Sequence, residues 1–190
     1  VTYLTTRSDV DGEAIGAYAT GGTGGGNVVL LAAADPRIRA VISQVPVADG
    51  RDWLHRMRTE YDWVRYQREI DEDARERVLT GKGRMVDPRA EIMVATPERS
   101  RVGFKSDVDG RVPPRIPLAV AAAVMAYRPI DAARGLRTPL MVVAVEDDAT
   151  TPTDHAVALY QAATGPKKLL MQRHTGHYEA YAKYADVVIP

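Results

Sequence analysis

The 190-residue chain has no cysteine. That excludes disulfides, thiolate catalysis and cysteine-bound metal, and it fits a reducing compartment, with the cytoplasm as the expected location. It has no net charge either, because 25 Lys and Arg balance 25 Asp and Glu. A balanced chain gives no electrostatic case for nucleic acid or an anionic membrane surface. No apolar run approaches the roughly 20 residues that a membrane-spanning helix requires. The opening residues are polar and carry no signal-peptide pattern. The chain begins with Val1 rather than Met, so it reads as a fragment or a processed piece.

What is present alternates. Residues 14–19 (AIGAYA), 38–47 (IRAVISQVPV), 139–145 (PLMVVAV) and 168–172 (KLLMQ) read as buried strands. Residues 28–34 (VVLLAAA) and 153–163 (TDHAVALYQAA) read as helices, the first stopped by Asp35-Pro36 and the second opened beside Pro152. Strand and helix in turn predict an α/β fold with a mostly parallel sheet flanked by helices. Between residues 49 and 136 the texture changes. Residues 51–79 are dense in charge with interleaved apolar residues, residues 81–114 are polar, and 117–127 (PLAVAAAVMAY) is apolar. The expected organisation is core 1–48, a helical insertion 49–136, and core 137–190.

Two strand ends carry chemistry. The third strand runs into Glu146-Asp147-Asp148, and the fourth into a loop containing His174 and His177. Carboxylates and histidines past the C-terminal ends of parallel strands share the rim where such sheets bind ligands. A histidine held there by a carboxylate can act as a general base.

The chain resembles the α/β-hydrolase superfamily, in the branch related to dienelactone hydrolases, X-Pro peptidases and polyketide hydrolases. The stretches that carry the likeness are YLTTRSDVDGEAIG, ADPRIRAVISQVP, TPLMVVAVEDDATTPTD and TGHYEAY. The resemblance implies that Asp148 is the acid and His177 the base of a catalytic triad, and that the insertion is a cap shaping the substrate pocket. It also implies about 100 further residues on the N-terminal side, carrying the early strands and one oxyanion-hole amide, and a final helix beyond Pro190.

The departure is at the nucleophile. The family pattern is G-x-S-x-G on a sharp strand-to-helix turn. Here the turn reads Thr20-Gly21-Gly22-Thr23-Gly24-Gly25-Gly26-Asn27. Motif matching puts Thr23 in the serine position, counting from the strand puts Gly21 there, and counting back from Asp35-Pro36 puts Gly22 there. A β-branched residue is disfavoured at a positive φ. The competing reading is an amide-lined anion hole formed by Gly21, Gly22, Gly24 and Gly25 ahead of a helix starting near Asn27.

A dinucleotide site is disfavoured, because the cluster fails G-x-G-x-x-G at Asn27 and no P-loop Lys follows. Asp154, His155, His174 and His177 lack the spacing of a metal site, so neither metal nor cofactor is expected. Tyr178, Tyr181 and Tyr184 read as packing. Trp53, Met57, Tyr61 and Met125 are the expected pocket residues. The expected function is hydrolysis of an ester, thioester or lactone-type carbonyl in a small molecule, using Asp148, His177 and an atypical turn. The alternatives are general-base lyase, cyclase or hydratase chemistry on the same fold, or a pseudoenzyme. No nucleic-acid or membrane partner is expected, and self-association into a homo-oligomer is left open.

Overall fold

The computed structural model describes residues 1–93 and 113–181, and the chain divides into two units. The first comprises Val1–Asp49 and Arg128–Pro190. After a single helical turn, α1 (Thr2–Thr5), it contains β1 (Gly16–Thr20), α2 (Gly22–Ala34) and β2 (Ala40–Gln44). The second unit, Gly50–Tyr127, contains α3 (Gly50–Arg56), α4 (Glu60–Thr80), β3 (Met85–Val86), β4 (Ile116–Pro117) and α5 (Ala119–Met125). The chain then returns to the first unit with α6 (Pro129–Ala133), β5 (Leu140–Asp147), α7 (Thr153–Ala162) and β6 (Lys167–Gly176).

The first unit is built on a four-stranded sheet in the order β1-β2-β5-β6, parallel at every pairing. This is the sheet that the alternation of strand and helix predicts. Val142, Val143, Ala144 and Val145 of β5 are each at most 1% exposed, which is why that strand reads as a continuous apolar run. Val28, Val29 and Ala32 of α2 and Ala156 and Leu159 of α7 share one core with Val41, Leu140 and Val142. Ala133 and Leu136 are buried in the same core, and α6 packs on α2 and α7. Residues 128–136, expected to end the insertion, therefore belong to the sheet unit. Their mix of Pro, Asp and Arg resembles the insertion in texture, but the two buried apolar side chains decide where they pack.

The glycine run folds differently from the loop expected before Asn27. α2 already begins at Gly22, so Gly24, Gly25 and Gly26 are helical. Gly25 has a steric reason to be glycine. A Cβ there would stand 2.7 Å from the carbonyl oxygen of Gln44 and 3.0 Å from Cα of Pro46. Its absence lets the first turn of α2 lie directly against the end of β2.

The second unit is mainly helical, as the amphipathic pattern of residues 51–79 predicts. Thr59 caps α4 by accepting the N–H of Asp62 at 3.2 Å. Trp53, Leu54, Trp63, Tyr66, Ile70, Val86, Leu118 and Ala121 are buried. Asp73, also buried, accepts from Nε of Arg77 at 2.9 Å and from the N–H of Arg84 at 2.6 Å, tying α4 to the segment leading into β3.

Candidate active site

Strand register brings the acid and the histidine together. Asp147 of β5 pairs with Gly176 of β6, after an irregularity in the ladder between Val145 and Asp147. The next residue on each strand is Asp148 and His177, so the two side chains emerge side by side at the C-terminal rim. Nδ1 of His177 lies 2.9 Å from Oδ2 and 3.1 Å from Oδ1 of Asp148. Oδ1 also accepts the N–H groups of Thr150 at 2.9 Å and Thr151 at 2.6 Å, which fixes the carboxylate as a tight turn. Both side chains are almost wholly buried, at 2% and 4% exposure. With Nδ1–H donated to Asp148, Nε2 of His177 is left as the acceptor, the tautomer a general base needs.

A hydroxyl fills that acceptor. The chain turns after His177 into a short 3₁₀ turn, Glu179–Tyr181, and the Tyr181 hydroxyl donates to Nε2 of His177 at 3.0 Å. The rings of Tyr178 and Tyr181 both meet the imidazole edge-on, at 5.0 and 5.8 Å between centroids. Burial, chiefly, pushes the Tyr181 phenol up to about 12, with the neighbouring Tyr178 and Asp148 adding to the effect. Packing alone, the role expected for this tyrosine, therefore does not describe Tyr181. Tyr184 lies outside the described residues.

The 3₁₀ turn is itself anchored. Gln44, 2% exposed at the end of β2, donates from Nε2 to the carbonyl of Ala180 at 2.7 Å, while its Oε1 accepts the Tyr18 hydroxyl at 2.6 Å. Beneath it, Val45, Val145 and Ala180 form a small buried cluster. Val45 adopts φ 44°, a conformation that a β-branched residue rarely takes.

The turn between β1 and α2 resolves the register left open by the sequence. Gly21 is the strand-to-helix residue, with φ 82° and ψ 159°, a region open essentially to glycine alone. Thr23, matched to the serine by motif, is instead the second residue of α2, with an exposed side chain. The group of amides expected to form an anion hole also needs correction. Gly25 N–H is committed to the carbonyl of Gly21 at 2.7 Å as a helical bond, so it drops out of the group, while Gly22 and Gly24 fall in the first turn of α2. The amides that α2 leaves without helical partners are those of its first turn, beginning at Gly22. The position that a Cβ on Gly21 would occupy is 3.5 Å from the Tyr181 hydroxyl. Gly21, Tyr181, His177 and Asp148 thus form one contiguous group.

The expected pocket residues are scattered through the second unit. Trp53 is buried in its core at 4% exposure, Tyr61 is 78% exposed, and Met125 is half-buried at the end of α5. Met57 lines a cavity of about 460 Å³ with Arg58, Asp62, Tyr66 and Arg84 among others. Two others of the residues weighed as metal ligands are engaged elsewhere. His155 is buried on α7 and accepts the N–H of Ala48 at its Nδ1, while His174 is exposed and donates its N–H to Glu146. Among the described residues, no group of three or more His, Asp or Glu is placed to hold a metal ion, and no helix is long and apolar enough to cross a membrane.

Sequence reasoning missed Tyr181 and Gln44. Tyr181 stands four residues after His177, a spacing that brings side chains together on one helical turn. Gln44 is a polar residue within an otherwise apolar strand, and a buried polar side chain requires a partner.

The overall fold matches known structures. The chain superposes on DcsB, solved in complex with its substrate analogue, with a TM-score of 0.73 at 18% identity, over 98% of this chain and 64% of that one. It superposes on the α/β hydrolase GrgF from Penicillium sp. sh18 with a TM-score of 0.72 at 18% identity, over 99% and 64%. The chain has the α/β-hydrolase fold. By sequence it is 28% identical, over 185 residues, to an uncharacterized 31.7 kDa protein in the traX-finO intergenic region of Escherichia coli. That match covers 95% of this chain and 63% of the relative, so the chain spans less than two thirds of the length of the curated relatives it matches. No family model matches. Within this fold, the β1–α2 turn is the place where hydrolases carry the nucleophile.

Proposed function

We propose that the protein is a hydrolase acting on an ester, thioester or lactone-type carbonyl, with His177 as general base and Asp148 as the group that orients it. The observation that carries this reading is the 2.9 Å hydrogen bond between Nδ1 of His177 and Oδ2 of Asp148, on consecutive strand ends of an α/β-hydrolase fold. A buried carboxylate fixes the tautomer and stabilises the imidazolium formed when the base takes a proton. The amide of Gly22 follows the turn residue and opens α2, the location from which this fold stabilises a tetrahedral oxyanion. The substrate is a small molecule, and Trp53, Met57, Tyr61 and Met125 are the proposed pocket residues.

One observation favours a second reading. Gly21 brings no side chain to the turn, so His177 could instead serve as the base of a lyase, cyclase or hydratase without an acyl intermediate. A panel of activated esters, acyl thioesters and lactones, assayed with wild type and a folded His177→Ala variant, tests the first reading. Turnover that vanishes in the variant supports it. Full activity in His177→Ala refutes the assignment of the base.

A further inference from the structure

The glycine at the turn and the tyrosine on the histidine answer each other. In a Ser-His-Asp triad the serine hydroxyl donates to Nε2 of the histidine. Here the donor to Nε2 is Tyr181, at 3.0 Å, and its oxygen lies 3.5 Å from where the first side-chain carbon of a turn residue would stand. The phenol therefore sits next to the seat that a serine at position 21 would use. It is in contact with the same base, and it is held from behind by the bond from Gln44 to Ala180. Tyr181 as a residue is 42% exposed.

We infer that Tyr181 is the reacting hydroxyl of this protein, and that its acyl substrates are thioesters or esters of acidic alcohols rather than ordinary alkyl esters. The inference rests on the reading of His177 and Asp148 as base and orienting acid. The steps balance as follows. Oη of Tyr181 attacks the acyl carbon while its proton passes to Nε2 of His177. The oxyanion collapses, the C–S bond breaks, and the thiolate leaves with the proton from the imidazolium. Water then gives a proton to His177 and attacks the tyrosyl ester. The C–O bond breaks and the phenolate takes the proton back. The net reaction is thioester plus water to acid plus thiol.

Leaving-group ability sets the substrate class. A tetrahedral adduct expels its more acidic arm. A thiol ionises near ~8.5, well below the Tyr181 phenol, which burial holds at about 12. The adduct from a thioester therefore goes forward. An alkyl alcohol is as weak an acid as water, far weaker than the phenol, so the adduct from an alkyl ester returns to substrate. A serine nucleophile, itself an alcohol, would not discriminate in this way. Gln44 acts as a positioning residue, through the turn that aims Tyr181.

An arylsulfonyl fluoride tests the hydroxyl directly: an S–O bond forms, the S–F bond breaks, and fluoride leaves as the proton passes through His177. Intact mass and peptide mapping are read on wild type, Tyr181→Phe, Thr23→Ala and His177→Ala, each checked for folding by circular dichroism. The expected result is one adduct on the Tyr181 peptide in wild type and Thr23→Ala, none in Tyr181→Phe, and labelling slowed about 100-fold in His177→Ala. In parallel, an acyl thioester is turned over in preference to the matched ethyl ester, and Tyr181→Phe lowers thioester turnover about 100-fold or more. Gln44→Met lowers kcat with KM unchanged. An adduct on Thr23, an adduct that survives Tyr181→Phe, or undiminished thioester turnover in Tyr181→Phe overturns the inference. If turnover is lost in His177→Ala and kept in Tyr181→Phe, the base assignment stands and the tyrosine falls. If wild type neither labels at Tyr181 nor turns over any acyl substrate, both fall.

Discussion

The two sides of the site are built on different principles. On one side Asp148 and His177 follow from register: once Asp147 pairs with Gly176, the next residues must meet, and the N–H groups of Thr150 and Thr151 fix the carboxylate. On the other side the β1–α2 turn keeps its backbone shape but brings no side chain, because Gly21 occupies it at φ 82°. The first side depends on residue identity at two positions. The second depends on space, both at Gly21 and at Gly25. The difference teaches that one side of such a rim can be fixed by residue identity through strand register and the other by backbone conformation and space.

The largest effect expected is on the histidine side. His177→Ala abolishes turnover, and Asp148→Asn lowers kcat by about 10⁴-fold with the fold intact, because the amide favours the wrong tautomer. Steady-state kinetics on both variants, beside their circular dichroism spectra, check this. An Asp148→Asn variant with wild-type kcat would remove the basis for treating that side as catalytic.

On the turn side, Gly25→Ala is expected to cost about 1–3 kcal/mol in unfolding free energy, since the added carbon would be driven into the end of β2. Urea denaturation measures it. Gly21→Ala forces an L side chain into φ 82° and places a methyl group beside the Tyr181 hydroxyl, at a cost of about 1–3 kcal/mol. Equal stability of Gly21→Ala and wild type would show that the turn is not held as described.

A pH measurement addresses the hydroxyl shared by the two sides. The folded-state phenol of Tyr181 is raised to about 12 from an ordinary value of 10.0. Between those values the folded chain holds the proton more tightly than the unfolded one. The stabilisation is thus complete below pH about 10 and is lost as pH rises towards 12. Chemical denaturation at several alkaline pH values should give a steeper decline for wild type than for Tyr181→Phe. Parallel declines would count against a Tyr181 phenol that the fold holds protonated. The smallest effect belongs to Tyr61→Ala, on an exposed face of α4, with a stability change within about 0.5 kcal/mol. A changed substrate preference in that variant would support its assignment to the pocket.

The sheet was legible because buried parallel strands write themselves as apolar runs, and residues 139–145 are the clearest case. The strand ends carrying Glu146-Asp147-Asp148 and His174 with His177 were legible because charged groups follow those runs, and the family resemblance singled out Asp148 and His177 among them. The turn was not, since consecutive glycines carry no side chain to mark which one bends, and three ways of counting gave three residues. The end of the insertion was misplaced because Ala133 and Leu136 have apolar neighbours only in three dimensions. Tyr181 was passed over because a tyrosine in an apolar, aromatic tail looks the same whether its hydroxyl faces solvent or a histidine.

His177 and Tyr181 sit four residues apart on one turn and are hydrogen-bonded to each other. In most triads the base and the hydroxyl come from distant parts of a gene. On the assignment proposed above, a five-residue stretch carries both, so recombination would not readily separate them. The same stretch grafted onto another sheet of this kind, together with a glycine at the facing turn and a glutamine behind it, would bring the base and the hydroxyl as one inherited part.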